Sequence, residues 1–456
     1  MNASTRLQAG ALRYTAAGLG IVIFWLLLGE FAIAMRERSA LPGALELLRR
    51  HHASDTTVSL LMSSVPALLG IILGPLVSYH SDRHRGRLGR RLPYLIAATP
   101  VGATAMVGLA ACPWLGQWSD TMLGTWSPGV DNCVLAWFCL CWGIFECIAI
   151  VTLALYAGLV NDIVPFPILG RFFAAVRVVS LGAGILFNYW LFPLTDTHLF
   201  DVLAGIGILF GVGCLWMCAM VKEGPYPPVT GSGLRRPGVA QVAREYATAC
   251  FAERRYLWVY GALMLAAVAF TPFNTFCQYY AASMGMSKAT LGELTAASYM
   301  VSIVLAFFIG AAADRWGAVH VSLAVLALYV LVSSAGFAWV RDAGSFAWLY
   351  VAHVVVSGAY YTASASIPMA LFPRLHFLQF NAAKDLMVGV ATIAAGLLQG
   401  PLLDWSGHDY SLTLLSAVAL SGGGVLCLLR IRRAGFYGDA ESNPPCMQPG
   451  GAAAAL

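Results

Sequence analysis

The chain has 456 residues, of which 59% are hydrophobic and 11% charged, and a net charge of +5 at pH 7; its mean hydropathy is +0.73. Water-soluble domains hold roughly 45–50% apolar residues, so this composition excludes a soluble enzyme or binding module and asks for lipid around most of the surface. The small positive excess does not point to nucleic acid, because the basic residues lie in short loops between apolar runs, where such residues set membrane topology.

In chain order, the first apolar run, about 14–35, follows Arg6 and Arg13 and carries Glu30. It is long for a leader peptide and holds an acid, so it is expected to be the first of twelve spans rather than a cleaved segment. The runs after it are about 57–80, 92–112, 132–158, 170–192 and 200–221. The longest connection follows, "KEGPYPPVTGSGLRRPG" and then "VAQVAREYATACF". Its first part reads as a Pro/Gly linker and its second as an amphipathic helix on the membrane surface. Six more runs follow, about 257–281, 289–313, 318–340, 345–372, 380–403 and 410–431. The expected organisation is an N-terminal half (1–221), a cytoplasmic linker (222–256), a C-terminal half (257–433) and a polar, Pro-containing tail (434–456) expected to be disordered. The eleven cysteines lie mostly within apolar runs, among them Cys139, Cys141, Cys147, Cys214 and Cys218, with no CxxC pair, and read as small buried hydrophobes.

The loops divide the charge unevenly. Of the 27 Lys+Arg, 21 fall on the side of the N-terminus and six on the other, namely Arg36, Arg38, Arg49, Arg50, Lys288 and Arg341. The positive-inside rule then puts both termini and the linker in the cytoplasm, which an even number of spans requires. The halves also repeat. Asp82-Arg83 follows the second run and Asp314-Arg315 the eighth; Pro165 and Phe172 follow the fourth run and Pro373 and Phe380 the tenth, each pair seven residues apart. Repeated six-helix halves are the plan of many secondary transporters.

The loop Ser81–Tyr94, "SDRHRGRLGRRLPY", concentrates five arginines, Arg83, Arg85, Arg87, Arg90 and Arg91, with Asp82 in an otherwise uncharged region. It resembles the signature loop of the major facilitator superfamily. In its detail, Ser81-Asp82-Arg83 and then Arg87-x-Gly89-Arg90-Arg91-x-Pro93-Tyr94, it is similar to the glycoside–pentoside–hexuronide symporters and plant-type sucrose transporters. The stretch "NDIVPFPILGRFFAAVR", with Asp162 and Arg171, resembles the loop after the fourth span of such carriers. The resemblance implies an all-α membrane protein of twelve helices in two halves. It also implies a cytoplasmic gate of Asp82, Arg83, Arg87, Gly89, Arg90, Arg91, Asp162, Arg171, Asp314 and Arg315. An acid at a helix end can accept from arginine and from a neighbouring helix N-terminus, which holds helix ends together until the gate opens.

Only two acids fall deep within runs, Glu30 in the first and Glu146 in the fourth. A charge at the centre of a span costs roughly 2.5–3.5 kcal/mol, so both are candidate proton carriers, loading and releasing as their burial changes. The resemblance implies that spans one, four, seven and ten line a central cavity. The seventh run, "FTPFNTFCQYY", puts Asn274 and Gln278 on one face beside Pro272, whose ring breaks the helix. The tenth, "HVVVSGAYYTASAS", carries His353, Tyr360 and Tyr361. Amides and aromatic faces suit a polyhydroxylated solute. The second run has no acid, which leaves protons or no ion rather than sodium as the coupled species.

The expectation is a monomeric inner-membrane carrier of a sugar or glycoside with proton coupling, in contact with solute, protons and lipid, without cofactor, metal or nucleic acid. Two alternatives stand beside it: a carrier or exporter of another organic solute, such as a nucleoside or cell-wall fragment, and an assembly factor or sensor on the same fold. An intramembrane enzyme is disfavoured, because the chain has neither HExxH nor GxSxG.

Overall fold

A computed structural model describes residues 8–9, 12–84, 86–224, 244, 246–248, 250–373 and 377–434. The tail, most of the linker with its expected surface helix, Arg85 and Arg374 lie outside the described residues, as do the side chains of Asp82 and Arg83. A two-residue hairpin, β1 (Gln8–Ala9) and β2 (Leu12–Arg13), leads into the bundle. Twelve membrane-length helices follow among the described residues: α1 Ala16–Arg50, α2 Asp55–Ser78, α3 Leu92–Trp126, α4 Val130–Ile163, α5 Arg171–Leu191, α6 Leu199–Met220, α7 Arg254–Ser283, α8 Lys288–Trp316, α9 Ala318–Trp339, α10 Ala343–Leu371, α11 Gln379–Trp405 and α12 Leu412–Arg433. The protein is an all-α, multi-pass membrane protein, and each of the twelve apolar runs lies on one of these helices.

Several helices outrun their apolar stretch. Hydropathy ends the first span near 35, whereas α1 continues to Arg50. The extra turns carry Arg36 and Glu46, which are fully or almost fully buried. Charge ends a hydropathy run, but a packed or paired charge does not end a helix. Helix starts follow local chemistry. The Thr15 hydroxyl accepts from the Gly18 amide at 3.1 Å to cap α1, and Asp342 and Ser345 form a reciprocal capping box at α10. The Asp342 carboxyl is held below its usual pKa, chiefly by the Ser345 amide that it accepts from, with the Gly344 amide beside it.

The chain packs into two units. Unit 1 holds residues 1–228, 281–300 and 396–408; unit 2 holds 229–280, 301–395 and 409–456. In unit 1, α1 packs on α5 and α6, and α3 on α4 and α6. Leu26, Ile33, Leu155, Phe172, Phe210 and Met217 belong to the core there. In unit 2, α12 packs on α7 and α9, and α9 on α10, around Tyr260, Leu326, Tyr329, Tyr360 and Phe380. Phe172 and Phe380, equivalent in the sequence repeat, are thus buried in the cores of their respective units.

Two helices are interrupted at prolines. Regular helix in α7 stops at Ala269 and resumes at Thr271, next to Pro272, as the sequence expects. In α10 it stops at Ser364 and resumes at Ile367, where Pro368 has no N–H to give the Ser364 carbonyl. Non-helical backbone at membrane depth is tolerated where it is buried in protein or lines a cavity.

Candidate functional site

The arginine loop forms a cluster within unit 1. Asp162, at the end of α4, accepts from Arg90 Nε at 2.9 Å and Arg91 Nε at 2.8 Å. A second acid, Glu223, just past α6, sits on the N-terminus of α3. Its carboxylate accepts the backbone N–H groups of Arg90 (2.8 Å), Arg91 (2.8 Å) and Leu92 (2.7 Å). Carboxylates are favoured there because the first N–H groups of a helix lack partners and carry partial positive charge. Gly89 lets the acid approach. Its φ is +106°, and a Cβ would stand 2.6 Å from the Glu223 Cβ and Cδ.

The other members of the expected gate are not gathered here. Arg87 and Arg171 are exposed, and Asp314 and Arg315 lie exposed at the end of α8 in unit 2. Arg315 lies 6.0 Å from the Trp316 ring. Asp82 and Arg83 end the helical turn that continues past α2 to Arg83, and their side chains lie outside the described residues. Glu223 escaped the sequence reading because it sits in "KEGPYPP", where composition says only linker.

Inside the bundle of unit 1, Glu30 on α1 and Glu146 on α4 are half-buried, and neither makes a hydrogen bond or ion pair among the described residues. Between them in sequence lies Arg36, which is 0% exposed. Its guanidinium lies 4.5 Å from the Phe210 ring centroid and 5.7 Å from that of Phe145. Its nearest acid is Glu37, at 3.6 Å, and none of its nitrogens finds a hydrogen-bond partner. Arg36 also acts electrostatically on Glu146. Stacking on aromatic faces recovers part of the desolvation cost of a buried cation, and the rest marks the position as one where charge is needed.

In unit 2, Asn274 and His353 meet. His353 is 1% exposed, with Nε2 at 2.9 Å from Asn274 Oδ1 and Nδ1 at 3.0 Å from the Tyr329 hydroxyl. The amide oxygen can only accept, so the neutral ring carries its proton on Nε2 and accepts from Tyr329 at Nδ1. His353 therefore lies behind Asn274, which is itself exposed. Gln278, one turn on, is half-buried. Tyr360 and Tyr361 line a cavity within this unit.

At the end of unit 1 opposite the arginine loop stand two clusters that sequence reasoning missed. Glu46, almost fully buried, binds Arg49 at 3.0 Å, Arg50 at 2.7 Å and Lys288 at 2.8 Å. Lys288, the first residue of α8, also pairs with Asp196 at 2.8 Å. Beside the start of α2, the Asp404 carboxylate accepts the backbone N–H groups of Asp55 and Thr56, both at 2.9 Å. His408 Nδ1 lies 2.7 Å from Asp55 Oδ2. That hydrogen bond raises the His408 pKa above its ordinary value. The available signal was the six cations on the side that the sequence leaves poor in basic residues. Arg38, Arg49, Arg50 and Lys288 are all held by partners at this end or nearby.

The family described as MFS/sugar transport protein matches residues 52–375. No curated protein sequence matches the chain. Among solved structures, the chain is similar to a bacterial homologue of the human lysosomal transporter Spinster, with 12% identity, 94% of this chain and 100% of that chain covered, and a TM-score of 0.67. A variant of the nucleoside transporter NupG matches with 13% identity, 90% and 99% coverage and a TM-score of 0.67. A D-xylose–proton symporter matches with 16% identity, 93% and 99% coverage and a TM-score of 0.59. These likenesses concern the fold. With the family match running over most of the chain and twelve helices of membrane length, the protein is a member of the MFS/sugar transport family, a transporter of the major facilitator superfamily rather than an enzyme.

Proposed function

We propose that the protein moves a sugar or glycoside across the inner membrane by alternating access, coupled to protons, as a monomer with both termini in the cytoplasm. The observation that carries the coupling is the pair of half-buried carboxyl groups, Glu30 and Glu146, placed within α1 and α4 of the unit that also buries Arg36 completely. An acid inside a span is costly and needs a reason to be there. A carboxyl group whose burial changes between two states changes its proton affinity with it, and this is what coupling requires. One charge crossing 100 mV is worth about 2.3 kcal/mol, sufficient for roughly fifty-fold accumulation.

Orientation rests on the excess of basic residues on the N-terminal side. On this reading the cluster of Arg90, Arg91, Asp162 and Glu223 is part of a cytoplasmic gate, joined by Asp82, Arg83, Arg87, Gly89, Arg171, Asp314 and Arg315. The Glu46–Lys288 and Asp55–His408 clusters face the other side. Asn274 and Gln278, with Tyr360 and Tyr361, supply amides and ring faces for hydroxyl groups and C–H surfaces of the solute.

The test is uptake of a labelled sugar panel into vesicles with and without a pH gradient. Glu146→Gln keeps shape and hydrogen bonding but cannot ionise. It is expected to abolish uphill uptake and acid stimulation while sparing exchange at equal pH. Uphill, pH-driven uptake that persists in Glu146→Gln, in Glu30→Gln and in the double variant refutes proton coupling through these acids.

A further inference from the structure

Within unit 2, α7, α10 and α11 enclose a cavity of about 480 Å3, a size that accommodates a small organic molecule. Its α7 wall is apolar, whereas the α10 and α11 walls bring Tyr360, Tyr361, Ser364, Asn381, Lys384 and Asp385 to the same space. Three features set it apart from a packing defect. Tyr360 is 2% exposed, yet its hydroxyl has no hydrogen-bond partner. An unsatisfied buried donor costs about 1–3 kcal/mol; the hydroxyl is closed off from the cavity as it stands, and a turn of the ring towards the cavity would let a ligand there satisfy it. The wall is also where α10 is interrupted, so the Ser364 carbonyl lacks its regular helical donor at Pro368. Finally, the charged groups are matched. Lys384 Nζ lies 2.9 Å from Asp385 Oδ1, and Asn381 Nδ2 donates to Asp385 Oδ2 at 3.1 Å.

That matching decides what the cavity can hold. Lys384 and Asp385 are the only ionised side chains among the described lining residues, and they neutralise one another. An anionic solute reaching for Lys384 meets the Asp385 carboxylate beside it, and a cation reaching for Asp385 meets the ammonium. Either must break the pair or leave a charge uncompensated, at a cost that grows as water is displaced. A neutral solute rich in hydroxyl groups needs neither. It can accept from the remaining Lys384 donors, and donate to Asp385, the Asn381 oxygen and the Ser364 carbonyl. Its C–H face can rest on Tyr361, which is 49% exposed.

We propose that this cavity is a solute-binding site and that the Lys384–Asp385 pair makes it selective for uncharged, hydroxyl-rich solutes over their anionic counterparts. The proposal rests on the carrier function given above and adds the place and the charge rule of recognition.

The experiment measures uptake of labelled D-glucose, D-galactose, sucrose and maltose into vesicles holding the wild-type chain, with D-glucuronate and D-glucose 6-phosphate as competitors. At least one neutral sugar is expected to enter, with neither anion inhibiting at tenfold excess. Asn381→Ala and Tyr361→Ala are expected to raise KM at least tenfold. Asp385→Asn leaves Lys384 without its counter-charge, so D-glucuronate, inert towards the wild type, becomes an inhibitor. This gain of a new competitor is not something a misfolded variant produces. Neutral-sugar uptake with KM within twofold of wild type in Asn381→Ala and Tyr361→Ala overturns the site and leaves the carrier reading standing. Wild-type uptake inhibited equally by D-glucuronate and by an unlabelled neutral sugar overturns the charge rule. Entry of no sugar in the panel overturns both the site and the sugar-carrier function.

Discussion

At the scale of single residues, the sequence made the arginine loop conspicuous but not its organisation. Arg90 and Arg91 stood out because five arginines crowd a chain with 11% charged residues. Which acids they and their amides would meet depends on α4 and α6 ending at the same place, and only the fold supplies that. Glu223 accepts three backbone N–H groups at the start of α3, and hydrogen bonds to a charged group contribute about 1.5–3 kcal/mol each. Glu223→Ala should therefore destabilise the protein by about 2–4 kcal/mol, after water has replaced part of what is lost. The check is the melting temperature of purified protein together with amide exchange of residues 89–92, which should rise locally. Unchanged exchange there would show that the cap contributes nothing in solution. His353 makes the complementary case. A histidine in an apolar span looks like a functional group, and the structure places it behind Asn274, with Tyr329 on its other nitrogen. Asn274→Ala leaves a buried ring N–H unpaired and should cost about 1–3 kcal/mol of stability in addition to any effect on solute. Asn274→Asp, which keeps an acceptor, should lose less of that hydrogen bond.

At the scale of elements, the count and order of helices were legible because roughly 20 apolar residues are needed to cross a bilayer, and each crossing leaves its own run. The interruption of α7 was legible in Pro272. That of α10 was not read, although Pro368 carries the same signal, because the apolar run continues across it. What no hydropathy reading could give is the close approach of α2 to the end of α11 in unit 1. Ser59 Oγ donates to the Gly396 carbonyl at 2.8 Å. A Cβ on Gly400 would stand 2.5 Å from the Thr56 Cα and 2.7 Å from the Asp55 carbonyl oxygen. Backbone, rather than a flexible side-chain tip, occupies that space. Gly400→Val should thus prevent this seam from closing and expose the α2 N-terminus. A cysteine at Thr57, half-buried beside this seam, would report the opening through faster alkylation in the Gly400→Val background. Equal alkylation rates with and without the substitution would remove the seam from consideration.

At the scale of the whole molecule, the contacts just described join segments that lie far apart in the chain, since residues 281–300 and 396–408 pack within the same unit as the first 228. Sequence halves and compact units therefore differ, because charged helix ends choose partners by proximity in the fold rather than by membership of a repeat. One of these long-range ties is sensitive to pH. His408 faces Asp55 directly and also feels Asp404, and the hydrogen bond to Asp55 holds its pKa above the ordinary histidine value. A group whose pKa is raised on folding binds its proton more tightly in the folded chain. Its contribution is complete below the unfolded value, about 6.5, and is lost as pH rises through the folded value. The imidazole is 60% exposed, so solvent screening keeps the effect below about 1 kcal/mol. Wild type and His408→Gln should consequently differ in melting temperature by a degree or two near pH 6, with the wild type higher, and the difference should close by about pH 8.5. Asp55→Asn removes the partner that contributes most to raising the pKa, and in that background the pH-dependent effect of His408→Gln should shrink to the part that Asp404 supplies. A wild-type advantage that is constant across this range would assign His408 a packing role, and an advantage that grows with pH would contradict the sign of the linkage and with it the Asp55–His408 pair.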